Sequence, residues 1–189
     1  ELENNSNVGK WDNWYKELQA TDRPNAFRYS ETETYEIAAK FLADCETIED
    51  WGVGAGGFLN HCPKAIGVDG SDTPFATKKY VDLCEYTTEV EGVHMRHVLE
   101  HNYEWDKILD NALASASKKV CITFFIPLNE GDTLELAHNL IHGVDVPDLS
   151  ISREEFDGIV AKYNPTSIEV DVLETATGYQ VEIVCKITK

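Results

Sequence analysis

The run Asp50-Trp51-Gly52-Val53-Gly54-Ala55-Gly56-Gly57 constrains this chain more than any other segment. Its glycines permit tight turns and a close approach of backbone to a ligand. Thr47-Ile48-Glu49-Asp50-Trp51 directly before it reads as a short strand, and a helix of about two turns fits between Gly57 and Cys62. A helix opening there offers free N–H groups to an anionic group. Ala65-Ile66-Gly67-Val68-Asp69 reads as a second strand, and Asp69 stands nineteen residues after Asp50. An acid at that point is placed to accept hydrogen bonds from ribose hydroxyls.

The rest of the chain continues an alternation of strands and helices. Ser30 and Glu33 form a capping box for a helix whose apolar face is Ile37, Ala38, Phe41 and Leu42. Pro74 to Tyr80 fits a helix that starts at proline. Val81 to Tyr86 is a weak third strand, and Gly92 to Met95 a fourth. Trp105, Ile108, Leu109, Ala112, Leu113 and Ala116 mark an amphipathic helix. Val120 to Ile126 is almost wholly apolar, as in a strand buried on both faces. Pro127 to Ser150 reads as irregular. Ser152 and Glu155 give a second capping box, with Ile151 and Phe156 as its hydrophobic staple. Ile168 to Glu174 and Tyr179 to Ile187 then form a hairpin across Thr175 to Gly178. The pattern is a doubly wound α/β sheet, mainly parallel, with helices on both faces and one reversed strand.

Composition narrows the function. The chain has 189 residues, enough to bury one sizeable core. Sixteen Lys and Arg against 34 Asp and Glu leave a formal charge of −18, which disfavours nucleic acid and anionic membrane surfaces as partners. No apolar run reaches the length of a membrane span, and neither a signal peptide nor a polybasic tail is seen. The chain begins at Glu1 and its only methionine is Met95, so a processed or trimmed product is expected. The five cysteines are scattered without a C-x-x-C pair. Buried thiols in a reducing cytoplasm are the expectation.

Gly52, Gly54 and Gly57 satisfy the spacing of a dinucleotide-binding loop, but that match alone is weak. Asp50, Gly52, Gly54 and Gly56 also give acid-x-G-x-G-x-G. Gly67-Val68-Asp69-Gly70-Ser71, Val81-Asp82-Leu83 and Val93 to His101, with its Leu99-Glu100-His101, follow in order. In these motifs the sequence resembles the class I S-adenosylmethionine-dependent methyltransferases over roughly Ser30 to Ile187. The resemblance implies a seven-stranded sheet of order 3-2-1-4-5-7-6. It implies residues 30–189 as the methyltransferase domain and 1–29 as an aromatic segment or lid carrying Trp11, Trp14 and Tyr15. It also implies S-adenosyl-L-methionine as cofactor, with contacts from Tyr29, Asp50, Gly52, Val53, Gly54, Gly56, Asp69, Gly70, Ser71, Asp82, Leu83, Arg96 and His97. Arg28 shares with Tyr29 a place near the methionine carboxylate. His94-Met95-Arg96-His97 departs from the acid, proline and aromatic pattern of amino-methylating members. That argues against an adenine or protein-glutamine acceptor.

Methyl transfer from a sulfonium mainly requires alignment and exclusion of water, with a general base added for a hydroxyl acceptor. His97 and His101 flank the end of the fourth strand, where open α/β sheets bind ligands, and are the catalytic candidates. A pocket-lining role is expected of His97 before that of a base. His138 and His142 have the i, i+4 spacing of metal ligands, but Asn139 replaces the glutamate of the zincin signature, so no metal is expected. The expected activity is transfer of a methyl group to a small molecule or sugar, at a hydroxyl, in the cytoplasm. The alternatives are a nicotinamide-dependent oxidoreductase and a non-catalytic S-adenosylmethionine-binding module.

Overall fold

A computed structural model describes residues 6–20, 32–138, 143–176 and 178–189. In chain order come α1 (Asp12–Ala20), α2 (Thr32–Phe41), β1 (Ile48–Trp51), β2 (Ile66–Val68), β3 (Val90–Arg96), α3 (Trp105–Ser115) and β4 (Ala116–Phe124). The short pair β5 (Leu134–His138) and β6 (Pro147–Ser150) follows, then α4 (Arg153–Ala161), β7 (Ser167–Glu174) and β8 (Val181–Thr188).

The central sheet has six strands in the order β2-β1-β3-β4-β8-β7. β2, β1, β3 and β4 are mutually parallel, and β8 runs antiparallel to both β4 and β7. The doubly wound α/β expectation therefore holds, including the reversed strand. One face is packed by α3 and α4: Leu109, Leu113, Phe156 and Val160 lie against Val93, Met95, Ile122 and Ile187. The other face is packed by α2, where Tyr35, Ala38 and Leu42 meet Ile48, Cys121 and Val184. All four residues of β1 and the last five of β4 are buried between the two helical layers, although β1 carries the acids Glu49 and Asp50. Ser152 caps α4, its Oγ accepting the Glu155 N–H at 3.4 Å, and the staple residues Ile151 and Phe156 are both buried. Ser30, the expected cap of α2, lies outside the described residues.

Four expectations need correction. Among the described residues the sheet has six strands and not seven, because Val81 to Tyr86 does not form the third. Its place at the sheet edge is taken by one parallel bridge, Val68 to Lys78. Pro74 to Tyr80 is likewise not a helix. Its backbone is committed to β2: the N–H groups of Thr77 and Lys78 donate to Gly67 O at 2.8 and 3.1 Å, and Lys78 O accepts the Asp69 N–H at 2.9 Å. Gly67 makes that crossing possible, since a Cβ there would stand 2.4 Å from Phe75 O. The segment is held by the buried Glu49, whose carboxylate accepts from Lys78 Nζ at 2.6 Å, Trp51 Nε1 at 2.8 Å and Tyr86 OH at 3.1 Å. After the glycines the chain makes a single 3-10 turn, Phe58–Asn60, not two helical turns. Finally, Pro127 to Ser150 contains the antiparallel pair β5–β6. β5 is exposed along its whole length, so it carries no alternation of burial to read.

Leu109 on α3 is fully buried between helix and sheet. Leu109→Ala should lower the free energy of unfolding by about 2–5 kcal/mol, as read by urea denaturation with the native far-UV spectrum retained. A loss below about 1 kcal/mol would mean that α3 does not pack as described.

Candidate active site

The C-terminal ends of β1, β2 and β3 open into one cleft. The glycine loop forms its floor. Gly52 and Gly54 both have positive φ, at 73° and 53°, which lets the chain reverse above β1. A Cβ on Gly52 would meet Val98 Cγ2 at 2.5 Å, and one on Gly54 would meet the Tyr15 hydroxyl at 3.2 Å. The loop's turn and its close approach to the far wall therefore both depend on glycine.

Asp69 holds that loop in place. Its Oδ2 accepts the Gly54 N–H at 2.9 Å, and its Oδ1 accepts the Ser71 N–H at 3.0 Å. Each carboxylate oxygen has a second lone pair for a ligand hydroxyl. Burial pushes the Asp69 carboxyl up from its ordinary 3.8 to about 6, against the two backbone hydrogen bonds that lower it. Thr73 reinforces the contact by donating to Gly54 O at 2.6 Å.

The N-terminal segment crosses the cleft mouth. Asn7 Nδ2 donates to His101 O at 2.7 Å and to Asn102 Oδ1 at 2.8 Å. The Gly9 N–H donates to Gly70 O at 2.8 Å, and the Trp11 N–H donates to Ser71 Oγ at 3.3 Å. Trp11, Trp14 and Tyr15 line the cleft from this side. Asp82 and Leu83 line the edge beyond Asp69, and Asp82 Oδ1 accepts the Cys84 N–H at 3.0 Å.

The opposite wall is built on β3. Register places Asp50 beside His94, and His94 Nδ1 donates to Asp50 Oδ1 at 2.7 Å in a buried pair. Phe58 stacks on the His94 ring with centroids 3.9 Å apart. Arg96 is also buried, donating to Thr34 Oγ1, the Tyr35 hydroxyl and Glu182 Oε1 at 3.3, 3.2 and 2.7 Å. His97 has a left-handed backbone, φ 55°, and its Nε2 lies 2.5 Å from the same Glu182 oxygen. Burial, and next the Arg96 charge, hold the His97 imidazole well below its usual pKa. Phe125 stands between the two histidines, its ring 4.8 Å from His97 and 5.2 Å from His101. The His101 ring also meets the Trp11 ring edge-on at 5.6 Å. No α-helix carries this pair, since His97 precedes the 3-10 turn Leu99–His101. Glu100 is buried within that turn, its carboxyl pushed up to about 7 by burial, and its Oε1 accepts the Phe125 N–H at 2.7 Å.

The cleft thus gathers Asp50, Gly52, Val53, Gly54, Asp69, Gly70, Ser71, Asp82, Leu83, Arg96, His97 and His101. Gly56 stands apart from it. Its φ is also positive, but a Cβ there would strike the Phe75 ring at 2.6 Å, so this glycine serves packing of the loop. Arg28, Tyr29 and His142 lie outside the described residues. His138 is not among the residues that line the cleft and pairs with Glu135 and Asp145 on the surface. Among the described residues no cluster of metal-ligating side chains forms.

Sequence reasoning gave no role to His94, Tyr35, Asn7 or Glu182. Only Glu182 left a signal, as an acid inside the apolar run Val181-Glu182-Ile183-Val184-Cys185.

No protein-family model and no curated protein matches the sequence. Solved structures do match in fold. A possible histamine N-methyltransferase from Thermotoga maritima superposes with a TM-score of 0.64 at 13% identity, over 95% of this chain and 98% of that one. The 1,6-didemethyltoxoflavin-N1-methyltransferase of Burkholderia thailandensis, with bound S-adenosylhomocysteine, gives 0.62 at 11%, over 93% and 87%. Magnesium protoporphyrin IX methyltransferase from Synechocystis, with bound S-adenosylmethionine, gives 0.58 at 12%, over 84% and 79%. The chain has the fold of the class I S-adenosylmethionine-dependent methyltransferases.

The raised Asp69 carboxyl sets a sign for stability. Between pH 3.8 and about 6 the folded chain holds a proton that the unfolded chain has released. The contribution is full below pH 3.8 and is lost as pH rises through 6. Relative to Asp69→Asn, the unliganded wild type should lose about 3 kcal/mol of stability between pH 3 and pH 7.5. Urea denaturation of both proteins at the two pH values measures it, and a pH-independent difference would place Asp69 in a solvated site.

Proposed function

We propose that this chain is a methyltransferase that uses S-adenosyl-L-methionine and acts on a small molecule, sugars included, at a hydroxyl group. One observation carries the reading: Asp69 clamps the Gly54 N–H at the head of a cleft formed by the ends of three parallel strands. A loop fixed this way presents backbone to the cofactor, while the carboxylate keeps lone pairs for the ribose hydroxyls. The fold shared with structures that hold S-adenosylmethionine or S-adenosylhomocysteine supports the same cofactor.

In this reading Asp82 and Leu83 border the adenine, and Asp50 with His94 and Arg96 borders the methionine end. Residues 1–29 serve as a lid, supported by the bonds that Asn7, Gly9 and Trp11 make across the mouth. The acceptor enters beside His97, His101 and Phe125, where rings line the approach. The net charge of −18 gives no counterpart for a phosphate backbone or an anionic membrane, so neither is a partner. Among the described residues no helix is long and apolar enough to cross a membrane. The cysteines, all without disulfides, suit a reducing cytoplasm.

Calorimetric titration tests the cofactor. S-adenosylhomocysteine should bind and NAD should not, and NAD binding alone would overturn the reading in favour of a nicotinamide-dependent oxidoreductase. Asp69→Ala should weaken S-adenosylhomocysteine about ten- to a hundredfold, the value of a lost hydrogen bond to a charged group. Unchanged affinity in the folded variant would reduce Asp69 to a loop clamp.

A further inference from the structure

We infer that Asp148 binds a protonated amine on the acceptor, so that the substrate is a small hydroxyl compound that also carries an ammonium group. This names the substrate class of the methyltransferase reading and rests on it.

Asp148 lies on β6, which packs against the 3-10 turn Leu99–His101 at the cleft's edge. All four residues of β6 are buried, and Asp148 is 8% exposed. A carboxylate buried that far is costly without a donor. The other buried acids beside the cleft have one: Asp50 has His94, Asp69 has two backbone N–H groups, and Glu182 has Arg96. Asp148 Oδ1 is buried and receives no hydrogen bond. His101 Nδ1 stands 3.2 Å from it. The hydrogen on that nitrogen already goes to Pro147 O at 3.0 Å, since a carbonyl only accepts. Among the described residues no lysine or arginine lies within ion-pair distance of Asp148. The oxygen therefore lacks a donor and the charge lacks a strong counterpart.

The surroundings suit a cation. Phe125 lies 5.2 Å from the His101 ring, Trp11 lies 5.6 Å from it, and Tyr179 lies 6.1 Å from Phe125. The Tyr179 hydroxyl is held above its usual pKa, first by burial and next by the Asp148 charge, which places this ring beside the carboxylate. Aromatic faces attract cations, and more strongly where water is excluded. A hydroxyl donor would satisfy the oxygen but leave the charge uncompensated, and the rings would add nothing to it. An ammonium group supplies the donor and the charge together.

Access follows the N-terminal segment. Asn7 Nδ2 donates to His101 O at 2.7 Å, and Trp11 rests on the same histidine. Trp11 and His101 both line the cleft, so a ligand admitted beneath that segment arrives at His101 with Asp148 next to it. The net charge of −18 draws cations toward the protein as a whole. A nitrogen held as ammonium against a carboxylate has no lone pair to offer a sulfonium. The amine thus serves recognition, and the hydroxyl remains the methyl acceptor.

The test is calorimetric titration at pH 7 of the whole chain saturated with S-adenosylhomocysteine. Three pairs of probes differ by the ammonium group: tyramine against para-cresol, dopamine against methylcatechol, and glucamine against sorbitol. In at least one pair the ammonium member should bind about tenfold or more tightly than its neutral counterpart, the value of a hydrogen bond between charged groups. Asp148→Asn keeps the side chain's shape and removes its charge, and it should abolish that preference. No preference in any pair overturns the inference and leaves Asp148 as a companion of His101 alone. A preference undiminished in folded Asp148→Asn overturns it too, since another acid would then hold the amine. If the asparagine variant does not fold, a crystal structure with the tightest ammonium probe decides. The nitrogen should lie within hydrogen-bonding distance of Asp148, and a nitrogen seated on another acid contradicts the inference. Failure to bind S-adenosylhomocysteine would instead strike the methyltransferase reading. The same titrations without it still read the ammonium preference, so the two failures are distinguishable.

Discussion

The carboxylate of Asp69 is the contact on which the cleft depends. It joins the end of β2 to the glycine loop through the Gly54 N–H, and to its own turn through the Ser71 N–H. Without it the loop would lose a buried acceptor, and two N–H groups would lose their partner. Its position follows from parallel pairing, which sets Asp50 beside Gly67 and brings both strands to the same end of the sheet. The N-terminal segment then bonds to Gly70 and Ser71, the two residues that follow. Loop, strand end and covering segment thus share one anchoring point.

Buried charge is handled the same way on the rest of the sheet. Glu49 receives lysine, tryptophan and tyrosine donors and fixes the segment that replaces a third strand. Asp50 is paired with His94, and Glu182 with Arg96 and His97. Each acid is buried in a strand and is paired with a donor from outside that strand, as burial requires. Strand register therefore fixes where charge stands in the cleft walls.

Much of this was legible in the sequence because it is local. Glycine spacing, the acid nineteen residues on and the apolar run at Val120 to Phe124 are written in consecutive residues, and each stands where expected. Ser152 and Phe156 likewise marked α4 correctly. The failures are non-local. Pro74 to Tyr80 has a good helix start, but its N–H groups are taken by Gly67 across the edge of β2. β5 is exposed throughout, so its short Leu134-Glu135-Leu136 alternation marks no buried face. Glu182 is separated from His97 by 85 residues, so their pairing depends on the sheet order and not on any motif. That Gly56 also packs against Phe75 is likewise visible only in three dimensions.

The central claim is that the glycine loop and Asp69 together form the seat of the cofactor. A crystal structure of the whole chain grown with S-adenosylhomocysteine tests it most directly. The ribose hydroxyls should lie within hydrogen-bonding distance of Asp69, and the thioether sulfur should face the side of the cleft that holds His97. A ribose bound elsewhere, or a ligand excluded from the loop while Asp69 keeps its present contacts, would contradict the account.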